Sequence, residues 1–188
     1  MSRHAFAPTV ANSALLVIDM QERFVPVMPS IEADGPVGRN ARIMIESARI
    51  LGVPTVTSEQ YPKGLGNTLP FLSDALAGQQ RLAKTHFSCC EDSALSEKIE
   101  ALHRTWWFVC GVETHVCVLA TVADLLQRGY RVGVVGDAVD SRRAECRTMA
   151  LQAARDLGAL ILPTESIVFR WLRNAQGESF KRISALVR

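Results

Sequence analysis

The chain has 188 residues, about 1.3 times an average domain, with 48% hydrophobic residues, 21% charged residues and a formal net charge of +2. Its longest apolar stretch, Trp106 to Val112, falls far short of the ~18 residues that span a bilayer, and so small a positive excess makes no basic surface for nucleic acid. One domain over residues 1–188 is expected, with a small-molecule partner, no nucleic acid and no membrane.

Five cysteines are an odd number, Cys89 and Cys90 are adjacent, and no CxxC pair occurs, which fits a reduced cytoplasmic protein. The opening residues, Ser2, Arg3 and His4 among them, lack the apolar core of a secretory signal and read as a tail.

The run Ala14–Ile18 is continuously apolar and β-branched, reads as a strand buried on both faces, and stops at Asp19. From Val37 the positions Val37, Ala41, Met44, Ala48 and Leu51 recur at helical spacing, and Gly52 supplies the left-handed residue that ends the helix. A second strand follows over Val53–Thr57, and a short third one near Arg81–Lys84. A helix from about Asp92 to Leu102 then leads into a fourth strand, Trp106–Gly111, whose adjacent tryptophans point to opposite faces.

Helix, glycine and aliphatic strand recur at Leu51-Gly52, at Arg128-Gly129 before Val132–Val135, and at Leu157-Gly158 before Ala159–Leu162. Repeated helix-to-strand returns imply parallel strands, and right-handed crossovers then give an open, doubly wound six-stranded α/β sheet with helices on both faces. The loops Glu22–Pro36 and Gln60–Pro70 are long enough to be functional. In the tail, Phe180, Ile183 and Leu186 or Val187 keep helical spacing, suited to packing on the domain itself or on a partner subunit.

Sites in such sheets form beyond the carboxyl ends of the strands. Asp19 ends the first strand, Lys84 ends the third, and Cys117 lies after the fourth, in the opening turn of a helix beginning near Thr114. A thiol there meets unpaired backbone N–H groups and the positive end of the helix dipole, both of which favour thiolate. Taken singly, each residue has a plainer reading: a small core cysteine, a solvated lysine, a loop-capping aspartate.

Four segments change that balance: Leu16-Val17-Ile18-Asp19-Met20-Gln21 with Phe24; Lys84-Thr85-His86-Phe87-Ser88; Gly111-Val112-Glu113-Thr114-His115-Val116-Cys117-Val118; and Asp137-Ala138-Val139-Asp140-Ser141-Arg142. In this order the chain resembles the isochorismatase-like cysteine hydrolases. The resemblance implies a catalytic triad of Asp19, Lys84 and Cys117, and a three-layer sheet of order 3-2-1-4-5-6 that sets the first and fourth strands side by side. It also implies a cis peptide between Val112 and Glu113, and an oxyanion hole made by the backbone N–H groups of Glu113 and Cys117. Members of the superfamily commonly form homo-oligomers, so a homo-oligomer is expected.

Nicotinamidase members carry an Asp-x-His pair and a further His after the second strand to hold a metal. Here that loop reads Ser58-Glu59-Gln60-Tyr61-Pro62-Lys63-Gly64, with one carboxylate and no histidine, so no metal and no cofactor are expected. The run Glu59-Gln60-Tyr61-Pro62-Lys63-Gly64 is similar to the isochorismatase domain-containing branch. Phe24, Gln60, Tyr61, Leu65 and Phe87 are the expected substrate-binding residues. The function implied is metal-independent hydrolysis of a small amide, imide or related planar substrate through a thioester. The alternatives are a scaffold subunit that retains the triad and isochorismate-type vinyl-ether hydrolysis.

Overall fold

The computed structural model describes residues 6–188, so the tail expected at Ser2–His4 lies outside the described residues. Six strands form one parallel sheet: β1 (Ser13–Ile18), β2 (Thr55–Gln60), β3 (Arg81–Lys84), β4 (Trp106–Val112), β5 (Arg131–Asp140) and β6 (Leu160–Leu162). Their order is β3-β2-β1-β4-β5-β6. The helices are α1 (Pro36–Leu51), α2 (Pro62–Leu65), α3 (Pro70–Ala75), α4 (Ser93–Ala101), α5 (Leu119–Gln127), α6 (Ala144–Asp156), α7 (Thr164–Leu172) and α8 (Gly177–Leu186).

Every residue of β1 is buried, because alternate side chains enter two separate cores. Leu15 and Val17 join Trp106, Phe108 and Cys110 beneath α1, α3, α7 and α8. Ala14, Leu16 and Ile18 join Trp107, Val109, Val132 and Val134 beneath α4, α5 and α6. The two tryptophans thus enter opposite layers. The tail helix α8 buries Ile183 completely in the first core, and Leu186 and Val187 pack against it.

Several boundaries differ from the sequence expectation. The second strand starts at Thr55, because Val53 and Pro54 are spent on the return from the helix: Gly52 adopts φ +74°, the Val53 N–H bonds back to Ala48, and proline has no N–H for a ladder. The fifth strand runs on past Val135 to Asp140, through a register shift opposite Val109 and Gly111 that carries Asp140 to the C-terminal edge. The helix expected from Thr114 opens with a wide π-type turn over Thr114–Val118 before α5 begins.

After β1 the chain passes to α1 on one face, and after β4 it passes to α5 on the other. A crevice therefore opens between the carboxyl ends of these neighbouring strands. Gly111 keeps them close, since a Cβ on it would lie 1.9 Å from the Ile18 carbonyl oxygen, one residue before Asp19.

Candidate active site

Asp19 takes a left-handed backbone, φ +53°, which a short polar residue tolerates better than a branched one. Its N–H donates to the Ser58 carbonyl, and its own carbonyl accepts from Gln21. The carboxylate is fully buried: Oδ1 accepts from the Ser58 hydroxyl at 2.6 Å, and Oδ2 accepts from Lys84 Nζ at 2.8 Å.

Lys84 reaches this point from β3, and its ammonium also donates to Gln60 Oε1 at 2.6 Å and to the carbonyls of His86 and Phe87 at 3.2 Å each. Burial alone would pull its pKa down. The Asp19 carboxylate, by its charge and its hydrogen bond, opposes that and the pKa lies above 10.5, so Lys84 is a fixed cation rather than a proton shuttle.

Cys117 is 6% exposed, in the π-type turn, and interacts with both members of the pair. Burial and the Asp19 carboxylate push its thiol up to about 12, while Lys84 pulls in the opposite direction. The resting group is therefore a neutral thiol. A helix N-terminus favours thiolate, but loss of solvent and the adjacent carboxylate raise this thiol.

The turn that carries Cys117 is braced by the segment just after β5. The Val112–Glu113 peptide is cis, and the Glu113 carbonyl accepts from the N–H groups of Val116 and Val118. The Glu113 carboxylate accepts from the Arg142 N–H at 3.0 Å, and His115 Nδ1 lies 3.0 Å from Ser141 Oγ.

The expected substrate-binding residues are less uniform in placement. Tyr61 lines a cleft of about 350 Å³ together with Pro62, Lys63, Lys84, Thr85 and Asp92. Tyr61 and Phe87 are more than half exposed, Phe24 and Leu65 are half-buried, and none of Phe24, Leu65 and Phe87 lines that cleft. Gln60 is turned onto Lys84. Its Nε2 donates to the Thr85 carbonyl at 3.0 Å, so both ends of the amide are engaged.

Cys89 follows the lysine strand in a loop. It is fully buried, its N–H donates to Thr121 Oγ1 at 3.0 Å, and its thiol interacts with Asp19, Lys84 and Ser58. No spacing signal announces this, since Thr121 reaches Cys89 across 32 residues. Cys89 and Cys90 are both free thiols.

Buried thiols set the response to alkali. Burial pushes Cys89, Cys110 and Cys117 from 9.0 up to about 12, and Cys90 to about 11. Above pH 9 the unfolded chain releases thiol protons that the folded chain retains, so each buried thiol costs about 1.4 kcal/mol of stability per pH unit. Lys84 acts in the same direction: its raised pKa stabilises fully below 10.5, and that contribution is lost as pH rises through the folded value. The urea midpoint is expected to stay level from pH 7 to about 8.5 and to fall steeply from about pH 9; a level midpoint up to about pH 10.5 would contradict this account.

Among the described residues, no group of three or more His, Cys, Asp or Glu side chains gathers to hold a metal ion, and no helix is long and apolar enough to cross a membrane.

The Isochorismatase domain family model matches residues 13–166. The chain belongs to the isochorismatase family. Isochorismatase domain-containing protein 2 of Bos taurus is 39% identical over 178 residues, covering 94% of this chain and 83% of the relative. Among solved structures, the MAR1 ribonuclease of Caenorhabditis elegans superposes with a TM-score of 0.87 at 35% identity, covering 96% of this chain and 91% of that one. The YcaC protein of Escherichia coli, described as an octameric hydrolase of unknown specificity, superposes at 0.91 with 18% identity, covering 98% and 92%, and shares the fold. The isochorismatase-domain branch inferred from Glu59 to Gly64 agrees with the first of these relatives. Membership of the isochorismatase family points to a hydrolase.

Proposed function

We propose that this isochorismatase-family protein is a metal-independent cysteine hydrolase of small amides, imides or related planar substrates. The observation that carries the reading is the buried Asp19–Lys84 pair, 2.8 Å apart, with the Cys117 thiol interacting with both partners.

Because the thiol rests protonated, attack and proton transfer are coupled. Cys117 Sγ forms a bond to the carbonyl carbon as Asp19 takes the thiol proton, and the N–H groups of Glu113 and Cys117 hold the resulting oxyanion. Lys84 keeps its charge throughout and balances the negative charge at each stage. Collapse of the tetrahedral intermediate breaks the C–N bond, Asp19 returns the proton to the leaving amine, and a water attacks the thioester to release the acid and restore the thiol. The near-complete burial of the triad supports a small substrate, with Phe24, Tyr61, Leu65 and Phe87 shaping the approach.

A screen of small amides and imides, scored by released ammonia or ring opening, is expected to find turnover without added metal and unaffected by a chelator. A single-stranded RNA belongs in the same screen, since the C. elegans relative is named a ribonuclease; cleavage of RNA with none of any amide would overturn the reading. The protein is further proposed to be a homo-oligomer, as the E. coli neighbour is described to be, and light scattering at the monomer mass would reject that.

A further inference from the structure

The strand between the acid and the amine contributes nothing to the triad, yet it touches both. In the order β3-β2-β1, Asp19 follows β1 and Lys84 ends β3, so β2 separates them. Adjacent strands lie about 4.8 Å apart, so the lysine side chain must cross the whole width of β2 to meet the carboxylate. At that crossing the register sets Ser58 beside Ile18 and Gln60 beside Lys84. Residues two apart on a strand share a face.

We infer that Ser58 and Gln60 are positioning residues, a hydroxyl and an amide on one face of β2 that hold the Asp19–Lys84 pair in place against Cys117. The inference rests on the reading of Cys117 as nucleophile. Ser58 occupies Asp19 Oδ1 at 2.6 Å and leaves Oδ2 to the ammonium. Gln60 Oε1 takes a second ammonium proton at 2.6 Å, and the carbonyls of His86 and Phe87 take the third.

The orientation of Gln60 is itself fixed. Its Nε2 donates to the Thr85 carbonyl, which turns Oε1 toward Lys84, and its main-chain N–H and carbonyl are clasped by the Gln21 amide at 2.7 and 3.1 Å. The groups acting on Lys84 are then Asp19, Cys89 and Cys117, and those acting on Cys117 are Asp19 and Lys84. Held by Asp19, Gln60 and the two carbonyls, the ammonium stays fixed and balances charge. Ser58 and Gln60 act only through the pair.

The test is the rate of Cys117 alkylation by iodoacetamide at pH 9, read by peptide mapping, with the half-buried Cys146 as internal control. Without the Gln60 acceptor the ammonium is free to swing away from the thiol. Without the Ser58 donor the Asp19 charge is less dispersed and opposes the thiolate more strongly. Gln60→Leu and Ser58→Ala are each expected to slow Cys117 alkylation about tenfold, the loss of one hydrogen bond to a charged group, while Cys146 is unchanged. Ser58→Thr, which keeps the hydroxyl, restores the rate. Gln60→Met, of similar length without the acceptor, carries the same expectation as Gln60→Leu if the latter does not fold. Rates equal to wild type in folded variants overturn the inference and leave the nucleophile reading standing. Full amide turnover in Cys117→Ala overturns both.

Discussion

Replacing Cys117 by alanine is expected to lower amide turnover by about 10³-fold or more, because a nucleophile that forms a covalent intermediate has no substitute once its sulfur is gone. The fold is expected to survive. The substitution removes one sulfur from a site that sits in the turn at the edge of the second core, and so small a deletion costs about 1 kcal/mol. Comparing ammonia release with the urea midpoint separates the two effects: activity falls while stability holds. Full activity in the alanine variant would reject the covalent route. Loss of amide turnover with retained hydrolysis of isochorismate would separate a vinyl-ether activity that needs no thiol. Absence of all turnover in the wild type across the amide, imide, RNA and isochorismate substrates would favour the scaffold reading.

The parts of this site that were legible in the sequence are those written in local chain signals. Asp19 stands where an apolar run stops, Lys84 closes a short strand, and Cys117 follows a strand by a few residues, so each could be placed at a strand end before any distance was known. The sheet order of the resembled family then brings β1 and β4 together, and the observed pairing of Ile18 with Gly111 agrees. Interactions that cross the sheet were not legible. Gln60 has the sequence of a loop residue next to Tyr61 and Pro62, but β2 extends to include it, and the ladder partner that gives it meaning is Lys84, 24 residues away. Cys89 is a similar case: its neighbours in sequence suggest a loop, while its neighbours in space are Thr121, Ser58 and the ion pair. The state of the Cys117 thiol was also hidden, because the helix dipole is visible from sequence and the loss of solvent is not.

Breaking the Asp19–Lys84 pair from one side is expected to cost about 3–5 kcal/mol, since both side chains are inaccessible to solvent and the remaining charge is left buried without its partner. In Lys84→Met the carboxylate keeps the Ser58 hydroxyl and the Cys117 thiol but no counter-charge, and in Asp19→Ala the ammonium keeps Gln60 and two carbonyls but no counter-charge. Lys84→Met is therefore the informative single variant, measured by urea unfolding at pH 7. The double variant Asp19→Asn with Lys84→Met removes both charges and is expected to recover most of the loss, because a neutral, shape-preserving pair bears little of the desolvation cost that either lone ion bears. Activity should not recover with stability: the double variant has neither a base for the thiol proton nor a cation to balance the negative charge. A loss below about 1 kcal/mol in Lys84→Met would mean that water reaches the pair and screens it as it screens a surface ion pair, and would remove the low-dielectric setting that the proposed proton transfer requires.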